Sequence, residues 1–461
     1  MSRPNRTRKA AAAKMQTISP PISSPDWDAL IVEADSLLRT LFPLCRSLTG
    51  AGLRHSLDVL REVADFQVCE VASGTRCYDW TIPDEWNVSD AYVADSSGHR
   101  VIDFRENNLH LVGYSIPFEG EMSLAELAPH LFTLPEMPSA IPYRTSYYQP
   151  SWGFCLAHEQ FVKLDRNEHY RVVVDTQLGP GSMTYGQALL PGGSGQEFLL
   201  STYLCHSSLA NDNLSGAVLW TLLLRELHRR PRRHSYRCVI APETIGALAY
   251  IARNEAAVRK LKGGFVVTTV AGPGRIGYKR SWCGNSLIDR AVRLTFRELG
   301  LEPLEYPFDA RGSDERQYSS PGLRIPVGTI CKDKYYEYDA YHTSLDNLDF
   351  VQAAALVETL KVYLAVIEKF ERDRTYRSLN PIGEPQLGKR GLYPQLGGAL
   401  HQKGAGGQAS PDRLEADRWL LFYGDGQTSL LSIAEKTGLP MDLLAQAAEQ
   451  LAAAGLLEEV V

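Results

Sequence analysis

The 461-residue chain lacks any apolar run approaching the roughly 20 residues that a membrane span needs, so a membrane-embedded protein is not expected. Behind Arg3, Arg6, Arg8, Lys9 and Lys14 no apolar segment follows, and 1–25 therefore reads as a disordered basic tail, not a signal peptide. Positive charge is not in excess either. The 48 Lys and Arg against 54 Asp and Glu give a net charge of −6, which leaves no electrostatic footprint for nucleic acid. Among the eight cysteines there is no CxxC pair, and most fall in apolar, strand-like runs, the pattern of buried free thiols in a reducing compartment. A cytoplasmic location is expected. Internal repeats are absent too.

What is present divides into three textures, in keeping with about one domain per 150 residues. Residues 26–42 and 53–63 have helical apolar spacing. From 67 to 140 come short strand-like pieces (92–94, 101–104, 109–112, 114–116) and one short helix at 123–134, the texture of a small all-β insert. From 141 to 379 strands (170–176, 198–204, 236–241, 265–270, 325–330) alternate with helices (212–229, 245–261, 286–299, 350–372). The fold expected of 26–66 and 141–379 is therefore α/β, a mostly parallel sheet with helices on both faces. Gly and Pro dominate 380–410, a linker. Three short helices and a last strand over 411–461 predict a winged helix. Its would-be recognition helix, 441–454, has no Lys or Arg, and the module carries three basic against nine acidic residues. Phosphate contacts dominate DNA affinity, so docking to a protein partner or a second copy is the expected role.

The stretch around which the chain is organised is Tyr203-Leu-Cys-His206-Ser-Ser-Leu-Ala-Asn-Asp212-Asn-Leu-Ser-Gly216. It leaves the strand at 198–204 and enters a helix, so His206 and Asp212 sit on the carboxyl edge of the sheet, where open α/β folds bind ligands. An imidazole with a carboxylate suits Zn²⁺. A satisfied core histidine and a helix-capping Asp212 are the competing readings. Four further pieces fall on or beside the same rim: Glu243-Thr244-Ile-Gly246, Thr268-Thr269-Val-Ala-Gly-Pro-Gly274, Gly312-Ser-Asp314-Glu315-Arg316-Gln-Tyr318 and Tyr341-His342-Thr-Ser-Leu-Asp346.

In order, His206, Asn211-Asp212-Asn-x-Ser-Gly216, Glu243-x-x-Gly246, Ser313-Asp314 and Tyr341-His342-Thr resemble the signatures of the M28-type zinc aminopeptidases. The wording of 142–155, 205–216 and 312–318 is closer still to a bacterial branch of aminopeptidase-like proteins with an inserted β domain (DUF2172/DUF4910-like) and a C-terminal winged helix. The resemblance covers about residue 30 to the end and implies a zinc-exopeptidase-like fold. Carried across, it makes His206 and His342 metal ligands, Asp212 the carboxylate ligand and Glu243 the general base. Two acidic ligands of the dinuclear relatives are missing, since Thr244 and Thr268-Thr269 stand in their places. Two histidines, one carboxylate and a water then imply one Zn²⁺ per chain.

Zn²⁺ lowers the pKa of its water from about 15.7 to about 7, and Glu243 would take the proton and hand it to the leaving amine. The implied activity is hydrolysis of an amide next to a free amino group, in a small peptide or aminoacylated metabolite. Acyl transfer or cyclisation at a single-zinc site and a non-catalytic binding protein are the alternatives. Asp314 (for a substrate ammonium), Arg316 (for a carboxylate), Tyr147 and Tyr148 are candidate substrate contacts, against a surface ion pair and aromatic packing at a domain seam. Trp152 shares the second ambiguity. Asp346 either orients His342 or caps the following helix, and Glu315 is the next candidate base should Glu243 prove a ligand.

Overall fold

A computed structural model describes residues 25–147, 149–392 and 411–460. The expected tail apart from its last residue, most of the linker, and Tyr148 lie outside the described residues. An eight-stranded mixed sheet runs in the order Gln67–Ala72, Ser182–Leu190, Ser235–Ala241, Glu197–Tyr203, Gly264–Val266, Val327–Lys332, Ile276–Lys279, Leu304–Tyr306. Its four central strands, Ser235–Ala241 to Val327–Lys332, are mutually parallel, and antiparallel pairings extend it on both sides.

Central strands are apolar almost throughout because both faces are covered. Phe198, Leu200, Tyr236, Cys238, Ile240 and Phe265 pack with helices Trp27–Leu41, Gly216–His228 and Ala353–Arg372. Leu199, Tyr203, Val239 and Ala241 pack on the opposite face with helix Ile245–Val258 and with the insert. Trp220, buried under the sheet, keeps its indole N–H satisfied on the Leu200 carbonyl at 2.9 Å.

Three strands fall outside their expected regions. His169–Gly179 belongs to the insert, pairing with Glu85–Ala94 and Phe118–Ser123. The reason is its period of two: Tyr170, Val172, Val174 and Thr176 are buried and the residues between them are not, which suits a sheet covered on one face. Gln67–Ala72, expected in the insert, instead extends the large sheet against Ser182–Leu190, a strand whose apolar pattern Gly186 and Gln187 interrupt. Thr375–Ser378 is the middle strand of the winged-helix sheet, between Asp425–Ser429 and Leu457–Glu459. The expected strand at 109–112 begins as a 3₁₀ turn, Asn108–His110, capped by Asn107.

The winged-helix segment carries helices Pro411–Phe422, Leu430–Thr437 and Met441–Ala453. Its last helix docks by its N-terminus on the body of the protein. The Met441 N–H donates to Glu298 at 2.8 Å and Asp442 pairs with Arg372 at 3.2 Å. Arg290 reaches Ser432 at 2.8 Å, and Arg297 the Ala434 carbonyl at 2.9 Å. No described helix is long and apolar enough to cross a membrane.

Candidate active site

The motif after strand Glu197–Tyr203 works mainly through its backbone-binding side chains. Asn213, Ser215 and Asn211 accept hydrogen bonds from three consecutive amides, Thr269, Val270 and Ala271, at 3.2, 3.1 and 3.0 Å. Gly216 is needed because a Cβ there would lie 2.2 Å from Asn213 Oδ1 and 2.5 Å from the Val267 carbonyl oxygen. These ties hold the turn at 210–215 against the neighbouring strand end and leave Asp212 pointing along the rim.

Asp212 is held from both sides. Tyr203 Oη donates to its Oδ1 at 2.5 Å, and Thr268 Oγ1 lies 2.8 Å from the same hydroxyl. From the other side Asp346 accepts the Asn211 and Asp212 amides at 2.6 and 3.0 Å, while Tyr338 donates to it at 2.8 Å. Asp346 thus positions the Asp212 backbone, and its contacts are not with the His342 ring. Burial pushes the Asp346 carboxyl up to about 6.

His206, Asp212 and His342 converge, each offering a ligand atom such that all lie within 4.8 Å of one another. His342 Nε2 stands 3.1 Å from Asp212 Oδ2 yet makes no hydrogen bond, an orphaned ring nitrogen aimed at a carboxylate. Burial pulls His206 down to about 4, so its imidazole is neutral and has a lone pair to give. Burial alone would raise Asp212, but His206, His342 and the Tyr203 hydroxyl outweigh it and hold the carboxyl below its usual value. Two imidazoles and one anionic carboxylate are a donor set that fits a divalent borderline cation such as Zn²⁺. Among the described residues no other His, Cys, Asp and Glu group is gathered this way.

Glu243 faces the triad, with Oε2 3.9 Å from His206 Nε2 and Ser313 Oγ donating to Oε1 at 2.7 Å. Burial, reinforced by Asp212, lifts its pKa to about 7. Thr244 follows at φ 64 and ψ −74, and the Ile245 N–H bonds back to the Glu243 carbonyl at 2.8 Å, a tight and sterically strained γ-turn. The turn is pinned by Asp314, whose Oδ1 accepts the Thr244 N–H at 2.7 Å. Thr269 and His342 also have positive φ, 49 and 55, so backbone strain gathers at this rim.

The candidate substrate contacts separate. Asp314 is 1% exposed, lies beneath the cavity and not in its lining, and pins Thr244 instead of facing a substrate ammonium; burial and then Glu243 raise its carboxyl well above the ordinary range. Arg316 and Tyr147 do line the cavity, about 460 Å³, with Glu243, His206 and His342. Trp152 packs between His130 and Phe118, ring centres 3.8 and 4.2 Å away. Glu315 is fully buried beside Lys279, away from the cavity. Missed by the sequence reading were Tyr143, whose ring centre is 5.1 Å from both histidine rings, and Arg46, which donates to the His206 carbonyl at 3.1 Å. Trp80, Thr81 and Pro83 of the insert complete the wall. Tyr143 stood inside an aromatic run, the one local signal of its place; Arg46 offered none.

His206, Asp212, His342 and Glu243 gathered on the carboxyl edge of an α/β sheet define the class, an aminopeptidase-like fold. Residues 35–373 match the domain of unknown function DUF4910 and 374–459 a winged helix-turn-helix, and the chain belongs to the DUF4910 family. A Clostridium acetobutylicum protein named for polysaccharide biosynthesis and an aminopeptidase-like domain is 44% identical over 93% of this chain and 96% of its own length. A crystal structure of a candidate peptidase from Clostridium acetobutylicum superposes with a TM-score of 0.87 at 42% identity, covering 94% of this chain and 97% of that one. The fold also matches a zinc aminopeptidase of Bacillus subtilis (TM-score 0.52, 13% identity, 74% and 94% covered). A peptidase M28 precursor of Shewanella amazonensis is similar to the same degree (0.51, 14%, 75% and 96%).

Proposed function

We propose that this protein is a metal-dependent hydrolase of the aminopeptidase type, cleaving an amide next to a free amino group in a small peptide or aminoacylated metabolite. The observation that carries the reading is the convergence of His206, Asp212 and His342 within 4.8 Å, with the Glu243 carboxylate 3.9 Å from His206. Zn²⁺ held there would supply Lewis acidity and an activated water. The chain's own part is acid–base chemistry and orientation. Glu243, raised to about 7 and fixed by Ser313, accepts a proton from water and returns it to the leaving nitrogen. Tyr203 and Asp346 fix Asp212, and the insert wall limits access of bulk water.

One metal per chain is the proposed stoichiometry. Thr244 and Thr268-Thr269 offer neutral hydroxyls where a second dication would need anionic oxygen. In the winged helix the first turn of Met441–Ala453 is spent on the body through Met441 and Asp442, which supports a docking role over DNA binding. The test is elemental analysis of the purified protein together with a panel of aminoacyl amides, on wild type and Glu243→Gln. Turnover by wild type, lost about 10²- to 10⁴-fold in the variant with metal retained, is the expected result. Loss of metal from Glu243→Gln would make Glu243 a ligand; binding without turnover by wild type would make the protein a binder.

A further inference from the structure

Beyond the triad and Glu243, Arg316 is the one charged residue in the described cavity lining. Its guanidinium has five donors and uses them poorly: Nη2 is 3.4 Å from Thr244 Oγ1 and Nη1 3.4 Å from the Ala310 carbonyl, both at the outer limit of hydrogen bonding. No described carboxylate is within ion-pairing distance of it, whereas Arg54, Arg225 and Arg237 each close on a glutamate. Asp314, the acid two residues away, is turned under the Thr244 turn.

Arg316 also has a definite side. It touches Thr244, the neighbour of Glu243, so under the proposed reading it stands on the side of the base that would hand a proton to the departing nitrogen. With a dication at the triad, Asp212 and Glu243 balance its charge, and Arg316 leaves the cavity one positive charge in excess, which favours an anionic ligand. The planar fork of a guanidinium matches a carboxylate, and the same lining includes the apolar Leu48, Trp80 and Pro83, against which a side chain can pack.

We infer that the leaving amine of the substrate is itself an amino acid, whose free carboxylate is bound by Arg316: the site takes dipeptide-like aminoacyl-amino acids. This rests on the proposed hydrolase reading. The amide C–N bond breaks, the acyl carbon gains the hydroxyl of water, the nitrogen gains its proton, and two amino acids leave.

The test compares Ala-Phe and Leu-Phe with their C-terminal amides, by turnover with the zinc-loaded full chain and by calorimetric binding to Glu243→Gln. The free acids are expected to lead the amides about 10- to 100-fold in kcat/KM and in Kd, the preference falling to about threefold or less in Arg316→Ala and surviving in part in Arg316→Lys. Equal turnover of acid and amide would overturn the carboxylate assignment and leave the hydrolase standing. Neither turnover nor binding of any of the four would overturn both. A carboxylate preference in binding with no turnover by wild type would overturn the hydrolase and, with it, the leaving-group assignment.

Discussion

The loop at 312–318 separates two buried polar clusters. On one side Glu315 Oε1 receives Tyr335 at 2.5 Å and Thr329 at 2.9 Å, with Lys279 Nζ 3.4 Å away and donating to the Tyr335 hydroxyl at 2.7 Å. Gly312 makes room for that lysine, since a Cβ there would sit 1.9 Å from its Nζ. On the other side stand His206, Asp212, His342 and Glu243; His342 Nε2 and the nearby Asp314 Oδ2 and Thr269 Oγ1 have no hydrogen-bond partner, and on the first side only Glu315 Oε2 is left so. The first cluster contains its own cation and lines none of the described cavities. The second is an array of lone pairs opening on a cavity; the buried cation beside it, Arg46, is spent on the backbone carbonyls of His206 and Leu41 and closes on no carboxylate of the cluster. Burial and a raised density of ionisable groups are common to both; what separates structure from function is whether the charges close among themselves.

The sharpest way to break the comparison is His342→Ala. It removes one ligand of three and is expected to reduce zinc surviving dialysis from about one per chain to near none by elemental analysis; full retention would dissolve the triad. Lys279→Met tests the closed cluster. It strands Glu315 and is expected to cost about 3–5 kcal/mol in denaturant unfolding while zinc content stays unchanged, and a paired Lys279→Met/Glu315→Leu variant should recover most of that loss. If zinc left with the lysine, the two clusters would be one. Tyr203→Phe sharpens the open side: losing the 2.5 Å donor to Asp212 should weaken zinc affinity about 10- to 100-fold in a competition titration. Smallest is Asp442→Ala at the winged-helix dock. Its side chain is 53% exposed, so unfolding should shift by about 1 kcal/mol or less.

Much of this arrangement was legible in the chain. Strong helical and strand periods placed Gly216–His228, Ile245–Val258, Ala353–Arg372 and the central strands near their observed positions. The order of short motifs placed His206, Asp212, Glu243 and His342 on one rim. What escaped was sheet membership, because a strand's own residues do not say which edge will receive it: Gln67–Ala72 and His169–Gly179 exchanged sheets relative to expectation. The roles of acids escaped for a similar reason. Asp314 and Asp346 both bind backbone amides, Thr244 in one case and Asn211 and Asp212 in the other, and a carboxylate's partner of that kind leaves no mark in the spelling of the chain.

Trp80 closes a hairpin of the insert, Arg76–Cys77 against Trp80–Thr81, anchored to helix Ile245–Val258 by the Tyr78 hydroxyl on Glu255 at 2.8 Å. It reaches the cavity from a part of the chain that contributes no metal ligand and no acid or base. Under the proposed hydrolase reading, this part of the cavity wall would be replaceable separately from the chemistry and from Arg316. A hairpin can lengthen, shorten or change its tip residues without moving the sheet edge, so the cavity wall is free to vary while His206, Asp212, His342 and Glu243 keep their places.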